Sequence, residues 1–82
     1  MKRKKGNWMS YKVNIIIEMD EEGFYAYAPE LDGCQTQGNT LEEVMANIRK
    51  AVELSLETMD EEERKQRLSK EILTTSLEVS IA

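Results

Sequence analysis

The spacing of the hydrophobic residues changes twice along the chain. This change limits the possible folds more than any other feature of the sequence. Apolar residues fall at every second position in residues 11–19, at spacings of three and four in residues 41–59, and at every second position again in residues 77–81. A period of two is typical of strands, and a period of about 3.6 is typical of helices. The pattern predicts an α+β domain in which strands flank a helix.

Residues 11–28 are predicted to form a β-hairpin. Three acidic residues and Gly23 occupy positions 20–23, and a glycine there can take the positive φ angle that closes such a loop. With these four residues as the loop, the apolar side chains of the two strands share one face. The expected pairs are Met19 with Phe24, Ile17 with Ala26, and Ile15 with Ala28.

A short third strand is expected to follow the hairpin. Pro29 ends the second strand because it cannot donate to a ladder, and Asp32-Gly33 makes another turn. Residues 34–37 then form the third strand, which Gly38 ends. The three strands form an antiparallel meander.

The main helix is predicted to begin at Thr40 with a capping box. The Thr40 hydroxyl can accept a hydrogen bond from the backbone N–H of Glu43, while the Glu43 carboxylate reaches back to the N–H of Thr40. An apolar stripe suited to covering the sheet follows at helical spacing. Its residues are Leu41, Val44, Met45, Ile48, Val52, Leu56 and Met59.

Two further elements complete the predicted fold. Residues 60–70 are charged and rich in helix formers, with Asp60 and Glu63 at cap spacing, and predict a short second helix or a helical extension. Leu77, Val79 and Ile81 alternate with polar residues and predict a last strand, which joins the sheet or pairs across a dimer. The expected fold class is α+β: a three-stranded antiparallel meander, one main helix packed on the sheet, a short second helix and a final strand, in the order β-β-β-α-β.

The length and charge of the chain bear on its organisation and partners. Its 82 residues suffice for one domain, and so small a core makes self-association, as a dimer or higher oligomer, expected. Residues 1–10 are interpreted as a basic leader and residues 11–82 as the domain. Four of the 11 basic residues lie in residues 2–5, so the rest of the chain has seven basic against 16 acidic residues. An acidic body repels nucleic acid and favours a basic protein partner.

The missing residue types exclude most catalytic chemistry. The chain has no His and one Cys, which excludes His-based triads, most zinc sites and an internal disulfide. We therefore expect no catalytic residues, no metal and no cofactor. No apolar stretch has the length of a signal peptide or a membrane span, so a cytoplasmic location is expected.

Residues 11–59, and above all residues 23–43, carry a family pattern. The run GFYAYAPELDGCQTQGNTLEE joins a Gly-aromatic strand, a Pro-x-Leu-x-Gly-Cys turn, a Thr-x-Gly-x-Thr segment and a Glu-rich helix start. Several short elements in this order resemble the HicB-like antitoxin family in its single-domain form. The resemblance implies a partial RNase H-like fold in a toxin-antitoxin system.

The resemblance also implies a function. HicB-like antitoxins bind and occlude a small basic RNA-cleaving toxin called HicA, so this chain is expected to act by protein binding and not as an enzyme. Direct nucleic-acid binding is not expected, because no C-terminal DNA-binding domain follows the last predicted strand. The alternative is a solitary HicB-like interaction module with no toxin partner.

The second face of the predicted sheet is the candidate partner surface. The hairpin register that buries Phe24 places Tyr25 and Tyr27 beside Glu18 and Ile16. Tyrosines are enriched in protein interfaces, so Ile16, Tyr25 and Tyr27 are candidates for a dimer or toxin surface. The last strand or residues 60–70 could instead cover this face.

The acidic residues and the cysteine suggest two other sites, both weaker. A two-metal nuclease needs three or four converging acids, and the available ones show no evident convergence in the sequence. Cys34 has no His or basic neighbour to activate it and is interpreted as a small packed hydrophobe. The acids considered are Glu18, Asp20, Glu30, Asp32 and Glu78.

Overall fold

The computed structural model describes residues 9–82. Of the predicted basic leader, residues 1–8 lie outside the described residues. Three strands precede two helices, as the hydrophobic pattern predicts, and the strands form one antiparallel sheet in the order β1-β2-β3. The elements are β1 (Ile16–Asp20), β2 (Gly23–Tyr27), β3 (Gln35–Gly38), α1 (Leu41–Glu57) and α2 (Glu61–Arg67).

The register of the β1–β2 hairpin follows the predicted alternation. Met19 pairs with Phe24 and Ile17 with Ala26, which confirms two of the three expected pairs. Gly23 takes the expected positive φ angle, 132°, but it lies in β2 opposite Asp20. The turn therefore consists of Glu21 and Glu22 and not of the four residues predicted. Pairing reaches back only to Ile16, and β1 therefore begins five residues later than the apolar alternation suggests.

The late start of β1 follows from the path of β2. The N–H of Ala28 donates to the carbonyl of Cys34 at 3.0 Å, which continues the β2–β3 register by one residue, and the chain turns after Ala28. Two more backbone bonds tighten this link: Leu31 N–H donates to the Ala28 carbonyl, and Cys34 N–H donates to the Leu31 carbonyl. Residues before Ile16 thus have no β2 residue opposite them.

The sheet and α1 meet at Gly38. This glycine was predicted to end the third strand after residue 37, but it is the last residue of β3. A Cβ added at Gly38 would lie 2.7 Å from the backbone N and 2.9 Å from the Cα of Val44. Such a contact is shorter than side chains allow, so the missing side chain lets the first turn of α1 lie directly on β3.

Thr40 caps α1 as predicted, but the second half of the capping box differs. The Thr40 hydroxyl accepts from the N–H of Glu43 at 3.0 Å. The Glu43 carboxylate accepts from the N–H of Asn39 at 2.7 Å, one residue earlier than the box predicts. Both bonds satisfy donors near the helix start and fix where α1 begins.

The core lies between α1 and the sheet, over β2 and β3. Val44 and Ile48 of the predicted stripe are buried, whereas Leu41 and Met45 remain about half exposed. α1 contacts β3 and β2, so β1 is left uncovered on the helix side of the sheet. The buried residues of this core are Ala26, Ala28, Leu31, Cys34, Val44 and Ile48.

The short helix α2 forms at the predicted position. Asp60 caps it by accepting from the N–H of Glu63 at 2.8 Å. Arg64 of α2 donates to the carbonyl of Leu56 at 2.8 Å, and its guanidinium lies 5.7 Å from the centre of the Tyr11 ring. These contacts hold α2 against the C-terminal end of α1 and the segment that precedes β1.

The predicted final strand is the one element of the fold that the structure does not bear out. In residues 9–82 no strand follows α2, and residues 71–82 have no regular secondary structure. Leu77, Val79 and Ile81 are 85%, 70% and 91% exposed. A strand needs a neighbouring edge to pair its backbone groups, and within the described residues this segment pairs with none, although the outer edge of β1 is unpaired.

Among the residues that the structure describes, no helix is both long enough and apolar enough to cross a membrane.

Candidate functional site

Two tyrosines form the centre of the sheet face opposite α1. Ala26 points into the core, so the alternation of a strand directs Tyr25 and Tyr27 to the other face. Their ring centres lie 5.7 Å apart with the planes tilted by 38°, and both side chains are half-buried. This geometry lies in the range of favourable aromatic pairs.

The strands on either side extend this surface. β1 places Glu18 opposite Tyr25 and Ile16 opposite Tyr27, and the Tyr25 hydroxyl donates to Oε1 of Gln35 on β3 at 2.8 Å. The sequence-predicted residues Ile16, Tyr25 and Tyr27 therefore lie side by side. We call this surface the tyrosine face and define it as Ile16, Glu18, Tyr25, Tyr27, Gln35 and Gln37.

The acidic end of the β1–β2 hairpin borders the tyrosine face. Glu18 lies on the face itself, and Asp20, Glu21 and Glu22 follow at the turn, all of them exposed. The Asp20 carboxylate accepts from the N–H of Glu22 at 2.9 Å, which orders the turn. The face thus combines a partly buried aromatic pair with four exposed carboxylates at one end.

Neither of the two segments expected as possible covers makes a recorded polar contact with the two tyrosines. α2 contacts Leu56 and Tyr11, and its Arg67 lies 3.8 Å from an Asp32 carboxylate oxygen. The C-terminal residues 73–82 are exposed along their length. In the described part of the chain, Tyr25 and Tyr27 keep part of their surface open to solvent.

A groove on the opposite side of the sheet was not predicted from the sequence. It lies between the segment before β1 and α1, has a volume of about 920 Å³, and is open to solvent. Apolar side chains form about half of its walls and charged side chains of α1 and α2 form most of the rest, and we call it the β1–α1 groove. Its apolar lining includes Tyr11, Val13, Ile15, Met45, Ile48, Val52 and Leu56.

The reason that the sequence did not reveal this groove is that its walls depend on where α1 lies. The apolar alternation indicated that Val13 and Ile15 are core residues. The helical stripe indicated the same for Met45 and Val52. Because α1 lies over β2 and β3, the helix side of β1 stays open, with Met19 71% exposed.

One buried carboxylate has a structural role that sequence reasoning missed. Glu30 is 7% exposed and its Oε1 accepts from the backbone N–H of Asn14 at 2.9 Å. This bond ties the segment before β1 to the β2–β3 link and so holds one wall of the β1–α1 groove. The position of Glu30 inside the Pro-x-Leu turn was the available signal.

The other acidic residues considered for a two-metal nuclease site do not converge in the part of the chain that the structure describes. Asp32 is exposed beside Arg67, and Glu78 lies in the exposed C-terminal segment. Within residues 9–82, no three Asp, Glu, Cys or His side chains come together as a group that could hold a metal ion.

Cys34 lies in the core and is 6% exposed. Burial raises the pKa of its thiol, because removing water disfavours the thiolate. The protonated thiol is the unreactive form of cysteine. Cys34 therefore has a packing role in the core and no reactive one.

The chain is a small α+β domain with two surfaces open to solvent, the tyrosine face and the β1–α1 groove. The model of the family described as the HicB-like antitoxin of bacterial toxin-antitoxin systems matches residues 11–79. The chain belongs to the HicB-like antitoxin family.

Curated relatives extend over most of the chain. It is 36% identical over 70 residues to a UPF0150 protein of Helicobacter pylori, covering 85% of this chain and 97% of the relative. A UPF0150 protein of Archaeoglobus fulgidus is 47% identical over 47 residues, which is 56% of this chain and 68% of that protein. A third UPF0150 protein, from Thermoplasma acidophilum, is 38% identical over 55 residues, or 66% of this chain and 80% of the relative. No solved structure is significantly similar to the chain.

Proposed function

We propose that this chain is a non-enzymatic cytoplasmic antitoxin that binds a small basic HicA-like toxin and blocks its RNA site. Membership of the HicB-like family supports this function. The observation that carries the choice of surface is the partly buried tyrosine pair with its acidic border.

The tyrosine face supplies the two things that such binding requires. A toxin that holds RNA has a basic surface, and the exposed carboxylates at 18 and 20–22 attract it over a distance. Charge alone gives weak, salt-sensitive attachment, so tight inhibition also needs a desolvated anchor. Tyr25 and Tyr27 provide that anchor, because interface energy concentrates in large aromatic side chains.

The mechanism is steric and electrostatic. Carboxylates of the antitoxin occupy the positions that RNA phosphates would take on the toxin, and the tyrosine rings exclude water from the centre of the contact. No bond is made or broken by the antitoxin. This mechanism requires no metal and no cofactor.

The test is the affinity of the purified chain for a HicA-like toxin encoded by a neighbouring gene. Changing Tyr25 and Tyr27 together to Ala is expected to weaken binding by about 30-fold or more, the size of effect that follows loss of an interface anchor. Leu54→Ala is the matched control, because Leu54 is a large, 65% exposed apolar residue on α1, outside both surfaces. Circular dichroism verifies that each variant is folded.

A charge variant separates the roles of the border and the anchor. Glu18→Lys is expected to slow association more than it speeds dissociation, and raising salt from about 0.1 M to about 1 M should act in the same way. Equal affinity for wild type and the folded double variant would remove the tyrosine face from the proposal. The absence of any toxin binding by the wild type would favour the solitary interaction module.

A further inference from the structure

The C-terminal segment, residues 76–82, has the composition of a strand but none of a strand's contacts. Leu77, Val79 and Ile81 alternate with polar residues, and all three are 70% or more exposed. None of the hydrogen bonds recorded within residues 9–82 joins this segment to the rest of the chain. Three large aliphatic side chains so close in sequence are costly to leave in water.

The sheet edge and the groove beside α1 lack what this segment could supply, a paired strand and apolar side chains. The sheet order is β1-β2-β3, so within the described residues the outer edge of β1 has no strand beside it. The β1–α1 groove adjoins the start of β1: Val13 and Ile15, which precede the strand, line one wall, and Val52 lines the other. An unpaired edge that continues into a groove with apolar residues on both walls can bind an added strand.

The alternation of the segment fits this position. A strand laid along the β1 edge directs every second side chain to the helix side of the sheet. With Leu77, Val79 and Ile81 on that side, Glu78 and Ser80 face solvent on the other. The same placement supplies backbone partners for both the segment and the edge of β1.

We propose that two copies of this chain exchange their C-terminal segments. Residues 76–82 of each copy add a fourth strand to the β1 edge of the other and fill its β1–α1 groove. The occupant is a second copy because the single chain leaves its own segment exposed while its own groove stays open. A reciprocal exchange gives a closed dimer with twofold symmetry, in which both grooves are filled and both β1 edges are paired. It also enlarges the small core of an 82-residue chain.

This dimer leaves the tyrosine face free, because that face lies on the opposite side of the sheet from α1 and the groove. The proposal does not depend on the toxin. Its tests use the full chain alone, so failure here is distinguishable from failure of the antitoxin proposal.

Sedimentation of the purified full chain measures the assembly. The wild type is expected to be a dimer at tens of micromolar. Val79→Asp is expected to raise the dimer dissociation constant by about a hundredfold, because it puts a carboxylate against the apolar part of the groove. Val79 is already 70% exposed in the single chain, so its replacement does not disturb the monomer core. Met45→Glu, a 42% exposed residue on the groove wall, should have the same effect.

The matched control is Leu54→Asp, which adds the same charge at a 65% exposed apolar residue on α1 that does not line the groove. It is expected to remain dimeric. A monomeric wild type, or a dimer that Val79→Asp and Met45→Glu leave unchanged, would overturn the proposal.

A crosslink distinguishes exchange from closure within one chain. In a Cys34→Ala background, Ile15→Cys and Val79→Cys are combined and the protein is oxidised. A product at twice the 9.5 kDa chain mass is expected on a denaturing gel without reductant. A product at the single-chain mass with its thiols consumed would show closure within one chain, and unreacted thiols would show that the two positions do not meet; either result contradicts the exchange.

Discussion

Single side chains decide what each face of the sheet can do. Ala26 and Ala28 are small, and both are buried beneath α1. Tyr25 and Tyr27 alternate with them and place their large, partly buried rings on the other face. A strand of alternating small and large residues thus makes one face for the core and one for a partner.

Ile48 is the clearest residue at which to test the core. Ile48→Ala should lower the free energy of unfolding by about 2 to 5 kcal/mol, because Ile48 is 1% exposed and its loss leaves a cavity. Lys50, exposed on the same helix, is the control, and Lys50→Ala should change that free energy by less than about 0.5 kcal/mol. Denaturant titration followed by circular dichroism measures both. Equal shifts for the two variants would mean that the faces of α1 are wrongly assigned.

The contact between β3 and α1 sets the geometry at the scale of the elements. Gly38 lets the backbone of Val44 approach the strand directly, and the Thr40 cap fixes the start of the helix next to it. The position of α1 over β2 and β3 follows from this contact. The same position leaves the helix side of β1 open and so creates the groove.

Gly38→Ala tests whether this close approach controls the packing of α1. The added methyl group would overlap the Val44 backbone, so α1 must shift, and a loss of about 1 to 3 kcal/mol in the free energy of unfolding is expected. Gln37→Ala, at the exposed neighbouring position of β3, is the control and should be nearly neutral. If Gly38→Ala were as stable as wild type in chemical denaturation, the close contact would not determine where α1 lies.

Elements with local causes could be predicted from the sequence. The β1–β2 register follows from alternation and loop length, and the start of α1 follows from Thr40 and its cap. The tyrosine face was predictable for the same reason, since the register alone brings Ile16, Tyr25 and Tyr27 together. These features depend on residues close to one another in the chain.

Features that depend on distant partners could not be predicted in the same way. The alternation of Leu77, Val79 and Ile81 indicates a strand, but it does not indicate which edge the strand pairs with. The apolar spacing of α1 likewise does not tell which two strands the helix covers, so the groove was missed. The late start of β1 depends on where β2 ends, at Tyr27, just before the turn that follows Ala28.

At the scale of the whole molecule, the sheet separates two proposed interactions. The tyrosine face and its acidic border point to one side, and the β1–α1 groove and the core helix lie on the other. Our account assigns the first to a basic toxin and the second to another copy of the chain. A dimer of this kind presents two tyrosine faces and can bind two toxins.

The most direct test of the account is an RNA-cleavage assay with an active HicA-like toxin from the neighbouring gene, titrated with the purified chain. Our account predicts that cleavage falls in proportion to added chain and stops near one chain per toxin, because each tyrosine face covers one RNA site. The chain alone should leave the RNA intact in the presence of divalent metal. Continued cleavage at a molar excess of folded chain, by a toxin shown to be active, would contradict the antitoxin function.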